Sequence, residues 1–216
     1  MDIEQARFNM IEQQIRPWDV LDFKILDILK NVPREQFVPD THTKLAFADI
    51  QIPLAHGEVM MEPKVEARLV QELNLTPDDK VLEVGTGSGY VTALLASLAK
   101  HVVSVDIHKD LSNQAADKLS KIGITNITLE SGDAIKGWPS TGGFDAILLT
   151  GSVAKVPNEF IEALKDGGRF VAIVGENPVM EAISITKTGD SVERISLFDT
   201  MLPPLVGAKQ QKSFVF

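Results

Sequence analysis

The stretch Lys80-Val81-Leu82-Glu83-Val84-Gly85-Thr86-Gly87-Ser88-Gly89-Tyr90 decides the fold. A short apolar run ends in three alternating glycines, and the helical pattern of Tyr90 to Leu98 starts at once. Glycines let the chain turn sharply and approach a ligand with no Cβ in the way, while the helix beyond presents free N–H donors. Strand, tight turn and helix N-terminus in that order form the ligand-binding corner of a doubly wound α/β sheet.

Working outward, Val102 to Val105, Ile127 to Leu129, Ala146 to Leu149 and Phe170 to Val174 read as further strands. Leu111, Ala115, Leu119 and Ile122 mark a crossover helix, so the order β-α-β-α-β implies a mostly parallel sheet with right-handed connections. The last forty residues change character. Ala182 to Thr186, Val192 to Phe198 and Ser213 to Phe216 read as strands, with Gly189-Asp190 as a turn, and predict an antiparallel C-terminal edge.

Upstream, Phe8, Ile11 and Ile15 recur at helical spacing until Pro17 closes the segment, and Leu21, Ile25, Ile28 and Leu29 give a second amphipathic helix. Val32-Pro33-Arg34 and Phe37-Val38-Pro39 punctuate the chain before a long polar loop at Asp40-Thr41-His42, and Val65, Leu69 and Leu73 mark another helix. One domain over 1–216 is expected, with a helical extension and a loop over 1–60 and the ligand-binding core over 61–216. The N-terminal helices are candidates for a lid.

Spacing also narrows the ligand. A dinucleotide fingerprint wants a glycine or alanine at the sixth position of G-x-G-x-x-G, where this chain has Tyr90. Glu83, two residues before the first glycine, would repel a pyrophosphate and suits the cationic amine of a methionine moiety, met directly or through water. Asp106, ending the second strand, is placed to accept both hydroxyls of a ribose. Asp133, after the third, is placed to accept from an adenine amino group, and Thr150, ending the fourth, to line the crevice floor. With Gly85, Thr86, Gly87, Gly89, Ile107 and Ala134, these residues converge on an adenosyl ligand, S-adenosyl-L-methionine.

Formal net charge is −9 and no basic run occurs, which argues against a nucleic-acid partner. Cysteine is absent, so disulfides and thiolate metal sites are excluded, and the four histidines lack tight ligand spacing, so no metal is expected. No stretch approaches the roughly 20 apolar residues of a membrane span, and a cytoplasmic location without membrane partners is expected.

Val32-Pro33-Arg34-Glu35 with Phe37-Val38-Pro39, Ala46-Phe47-Ala48-Asp49, Glu83 to Tyr90, Gly132-Asp133, Gly137-Trp138-Pro139, Phe144-Asp145-Ala146 and Leu164 to Arg169 resemble the protein-L-isoaspartate O-methyltransferases. The resemblance runs from about Arg7 to near the C-terminus, and Val-Pro-Arg-Glu-x-Phe-Val-Pro is its distinctive part. It implies a Rossmann-like class I methyltransferase fold, methyl transfer to isoaspartyl residues of damaged proteins as a first step of repair, and isoaspartyl proteins or peptides as partners. A carboxylate acceptor, with a pKa near 4, is already the nucleophile at pH 7 and needs mainly in-line positioning.

The family's Gly-Gln-Thr-Ile-Ser-Gln-Pro loop aligns with Gly57-Glu58-Val59-Met60-Met61-Glu62-Pro63, so Val59 and Met61 stand where the family carries hydroxyls, and Glu58 and Glu62 where it carries amides. Glu58 and Met61 are therefore the candidate catalytic positions. A like-charge pair at about 5 Å costs about 3 kcal/mol at an effective dielectric near 20, which disfavours a carboxylate acceptor if these side chains face it. In one reading the methionines pack, the glutamates face solvent or cap the helix near Pro63, and the family's activity stays. In a second, Met60 and Met61 line a pocket for a neutral or cationic small molecule or peptide, with Glu58 or His56 as base. A third is a non-catalytic S-adenosylmethionine-binding module.

Overall fold

In the computed structural model, which describes residues 2–208, the chain opens with α1 (Ile3–Met10), continued by a π-helical turn over Ile11–Ile15 and a tighter one over Arg16–Trp18. The Asp2 carboxylate caps α1 by accepting from the N–H groups of Glu4 and Gln5. Asp22 caps α2 (Phe23–Asn31) the same way through Lys24, and for that reason Leu21 stays outside the helix and exposed. Asp40–Leu45, expected as loop, winds into short helical turns.

The 51–62 segment is a small hairpin in which β1 (Ile52–Pro53) pairs antiparallel with β2 (Val59–Met60). Pro63 then opens α3 (Pro63–Glu72), a position where its missing N–H costs nothing. β3 (Lys80–Val84), α4 (Tyr90–Leu98), β4 (His101–Asp106), α5 (Lys109–Lys121), β5 (Ile127–Ser131), β6 (Phe144–Leu149), α6 (Asn158–Glu162) and β7 (Leu164–Glu176) follow, and β8 (Val179–Thr188) and β9 (Ser191–Asp199) complete the sheet.

The seven strands lie in the order β5-β4-β3-β6-β7-β8-β9, parallel from β5 to β7 and antiparallel beyond. The chain moves outward from β3 to β5 and then returns to the other side of β3 with β6, so the order reverses between β3 and β6 and opens a crevice at the strands' carboxyl ends. Ser213–Phe216 lies outside the described residues.

Alternate residues of each central strand point to opposite faces. Val81, Val102, Ala146, Leu148 and Val171 join one apolar cluster with Met10, Ile15, Leu29 and Phe37, so the N-terminal helices pack on that face. Leu82, Val84, Val105, Ile147, Leu149 and Phe170 form the cluster on the other. Each such buried valine, leucine, isoleucine, methionine or phenylalanine side chain contributes about 1.5 to 3 kcal/mol by leaving water. Edge strand β9 is largely exposed, and Arg194 pairs with Glu181 at 2.6 Å there, placing charge on an edge that could otherwise template pairing.

Candidate functional site

The glycine corner is built by backbone groups that close on one another. Gly85 adopts φ 101, and a Cβ there would lie 2.2 Å from Thr150 Oγ1, so no side chain fits. Thr150 Oγ1 bridges the corner to β6, standing 2.9 Å from the Val84 carbonyl and 2.6 Å from that of Gly85. The N–H of Gly87 donates to Asp106 Oδ2 at 2.7 Å, and the N–H of His108 donates to Oδ1 at 2.8 Å. Gly89 serves packing: with φ 86, its missing Cβ lets α4 begin against α5, where a methyl would meet Ala115 Cβ at 2.9 Å.

Beside this corner lies a cleft of about 850 Å³. Val84 to Ser88, Val105 to His108, Gly132 to Ile135 and Thr150-Gly151 supply its base, at the carboxyl ends of β3, β4, β5 and β6. Leu202, Pro203, Leu205 and Val206 close one side. Ser152 holds that segment, donating from Oγ to the Leu202 carbonyl at 2.8 Å and from N to the Pro203 carbonyl at 2.9 Å. Among the described residues the lining carries the carboxylates of Glu58, Asp106 and Asp133, with Glu66 buried against Arg34, and no lysine or arginine. Such a cleft focuses negative potential and favours a cationic, hydroxyl-bearing ligand over a phosphate.

The opposite wall is Glu58, Val59, Met60, Met61 and Glu66. Both methionine side chains are buried. Behind them Arg34, fully buried, donates through Nη2 to the Met61 carbonyl at 2.9 Å and through Nε to the Ala46 carbonyl at 2.8 Å, pairs with Glu66, and lies 4.9 Å over the Tyr90 ring. Burial pushes the Glu66 carboxyl above the usual carboxylate range against the pull of Arg34. One guanidinium thus ties the 32–39 segment to the hairpin, to α3 and to the first residue of α4.

Residues 5–210 match the sequence model of the family Protein-L-isoaspartate(D-aspartate) O-methyltransferase. The chain belongs to this family. It is 36% identical to a protein-L-isoaspartate O-methyltransferase of Methanoculleus marisnigri over 203 residues, 94% of this chain and 92% of that one. With the enzyme of that name from Photorhabdus laumondii it shares 40% identity over 175 residues, 81% of this chain and 84% of the other. Among solved structures, a protein-L-isoaspartate O-methyltransferase superposes with TM-score 0.80 at 23% identity, covering 95% of this chain and 66% of that one. A Plasmodium falciparum structure described as a protein-L-isoaspartate O-methyltransferase in complex with S-adenosyl-L-homocysteine gives 0.77 at 19%, covering 95% and 98%. These two likenesses concern the fold.

In this isoaspartate methyltransferase family member, Gly85, Thr86, Gly87, Asp106, Ile107, Asp133, Ala134 and Thr150 all line the one cleft, and Glu58 and Met61 face it from the hairpin side. Glu83 and Gly89 are not among the lining residues. Side-chain alternation sends Glu83 to the face opposite Leu82 and Val84, where it accepts from Thr92 Oγ1 at 2.5 Å and Ser104 Oγ at 2.6 Å beneath the corner. Its Oε1 is buried without a partner, and burial pushes the carboxyl up to about 8 against those two hydrogen bonds, with Asp106 pushing the same way. His56 points away from the cleft toward Asp110, and Glu62 lies 3.4 Å from Gln51 Nε2.

Sequence reasoning passed over Glu66, His108 and the 202–206 segment, all of which line the cleft. The apolar run Leu202-Pro203-Pro204-Leu205-Val206 beyond the last paired strand was the available signal for the third. Nothing in the spacing of Glu66 sets it apart from a solvent-facing helix residue. Among the described residues no group of acidic, histidine or cysteine side chains is arranged to hold a metal, and no helix is long and apolar enough to cross a membrane.

Proposed function

We propose that this chain transfers a methyl group from S-adenosylmethionine to the carboxylate of L-isoaspartyl residues in proteins. The observation that carries this reading is the cleft itself: a glycine corner whose lining among the described residues holds Glu58, Asp106 and Asp133 and neither lysine nor arginine, in a chain of the isoaspartate methyltransferase family. Those residues fit S-adenosylmethionine, which when bound supplies a cationic methyl donor. Asp106 and Asp133, at the carboxyl ends of β4 and β5, are the acceptors for ribose hydroxyls and an adenine amino group, and Gly85 to Gly87 leave room for the ligand against the backbone. Glu83 acts from beneath, holding Thr92 and Ser104 under the loop.

An isoaspartyl carboxylate is ionised at pH 7, so the protein has no proton to remove and its work is orientation and exclusion of water. Met60, Met61 and Leu202 make buried apolar walls for that purpose. Arg34 fixes the hairpin wall through the Met61 carbonyl. Glu58 on the same wall favours a second reading, a neutral or cationic acceptor on the same scaffold.

Tritiated methyl transfer to a peptide carrying one isoaspartyl residue, with the aspartyl isomer as control and cofactor binding measured in parallel, separates the two. Labelling of the isoaspartyl peptide alone is expected. Cofactor binding without labelling overturns the isoaspartyl acceptor and leaves the second reading.

A further inference from the structure

The β1–β2 hairpin stands between two cavities. One is the cleft already described; the other, of about 820 Å³, is lined by Pro53, Leu54 and Ala55 on the hairpin and by Lys118 on α5. The two share Gly87, Ser88 and Leu111, and Leu54 stands at the partition, its Cδ1 3.4 Å from the position of a Cβ on Gly87. The hairpin is short: Ile52 stands opposite Met60 and Pro53 opposite Val59, and its tip is closed by Leu54 N–H donating to the Glu58 carbonyl at 2.8 Å and Glu58 N–H to that of Ala55 at 3.1 Å.

Four side chains tie its tip to the rest of the molecule. His56 Nε2 lies 2.9 Å from both carboxylate oxygens of Asp110, in the first turn of α5. The His56 ring stacks on that of His108 at 4.1 Å and 5°. His108 Nε2, which makes no hydrogen bond among the described residues, lies 3.6 Å from Glu58 Oε1, a distance for a charge contact only. Tip residues 56 and 58 therefore interleave with residues 108 and 110, and the hydrogen bond from His56 holds the Asp110 carboxyl below its usual range. Glu58 and His108 line the cleft, whereas His56 and Asp110 stand outside it.

We propose that His56 and Asp110 are positioning residues that latch the hairpin over the bound cofactor, acting through Glu58 and His108. Cofactor and its demethylated product then exchange by lifting the hairpin, which merges the two cavities. This rests on the cofactor reading of the cleft given above.

Release of radiolabelled S-adenosylhomocysteine from the full chain, chased with excess unlabelled ligand, tests the latch. His56→Ala, Asp110→Asn and the double variant are expected to speed release by about threefold or more, with the double no faster than His56→Ala, which already removes both the Asp110 hydrogen bond and the stack on His108. Melting temperatures near that of the wild type show that the change is not loss of fold. Because the native chain has no cysteine, a His56→Cys, Asp110→Cys variant can be closed with a short bis-maleimide, and closure is expected to slow release below the wild-type rate. Bound ligand released at the wild-type rate by the unlinked variants and by the fully cross-linked one overturns the latch alone. No binding by the wild-type chain overturns the cofactor reading and the latch with it.

Discussion

Asp106 Oδ2 accepts the N–H of Gly87 at 2.7 Å, so the acid at the end of β4 also shapes the glycine loop at the end of β3. Its other oxygen accepts from His108 N at 2.8 Å, and the carboxylate retains lone pairs toward the cleft it lines. One side chain thus holds the loop and lines the cleft.

Asp106→Ala removes both roles. Charge-assisted hydrogen bonds of this kind are worth about 1.5 to 3 kcal/mol, so S-adenosylhomocysteine affinity by calorimetry is expected to fall roughly ten- to hundredfold. Asp106→Asn keeps the shape but replaces one acceptor with an N–H₂ donor opposite a backbone N–H, and an intermediate loss is expected. Wild-type affinity in both variants would show that the ligand sits elsewhere.

The glycines of the corner are unequal. A methyl on Gly85 meets Thr150 Oγ1 at 2.2 Å and φ 101 suits no L side chain, whereas a methyl on Gly87 meets only Leu54 Cδ1 at 3.4 Å. Gly85→Ala is expected to lower stability by about 1 to 3 kcal/mol and to open the contact between β3 and β6. Gly87→Ala is expected to keep more of that stability and to lose ligand affinity in preference. Thermal melts with and without S-adenosylhomocysteine check the ordering; equal melting-point losses for the two variants would contradict it.

Much of this was legible in the sequence because the deciding signals are local. Strand, alternating glycines and helix follow without interruption from Lys80 to Leu98, and Asp106 and Asp133 each follow an apolar run, so order along the chain sufficed to place them. The same local reading does not see across the sheet. Glu83 sits within a continuous apolar strand, where composition does not distinguish the two faces, and only pairing with β4 shows that it meets Ser104. Arg34 and Glu66, 32 residues apart, are both buried, and their pairing follows from the packing of α3 against the 32–39 segment. The expected polar loop around Asp40 was a matter of composition, and the backbone satisfied itself there with short helical turns.

Glu83 gives a pH dependence with a definite sign. Its carboxyl is raised from 4.5 to about 8 by burial, so over that interval the folded chain holds a proton that the unfolded chain has released. Stability linked to Glu83 is therefore fully present below about 4.5, falls as the pH rises, and levels off above about 8. Glu66 is pushed in the same direction, so the informative comparison is wild type against Glu83→Gln, whose amide stays neutral throughout. The melting temperature of the wild type is expected to drop more steeply between pH 5.5 and 8.5 than that of the variant. Parallel profiles would mean that Glu83 is ionised in the fold.

Arg34 separates stability from catalysis. Arg34→Met alone strands Glu66 in the core and leaves the carbonyls of Met61 and Ala46 without this donor, and breaking a buried pair from one side costs about 3 to 5 kcal/mol. Arg34→Met with Glu66→Leu removes both charges, and replacement of a buried pair by apolar side chains is often neutral, so most of the melting temperature is expected to return. The Met61 carbonyl still lacks its donor, and the hairpin wall facing the acceptor is no longer fixed. Cofactor affinity in the double variant is expected to stay near the wild-type value while kcat/KM for an isoaspartyl peptide falls about tenfold or more, since misplacement of about 1 Å is enough for such a loss. A stable double variant with full kcat/KM would reduce Arg34 to a counterion of Glu66.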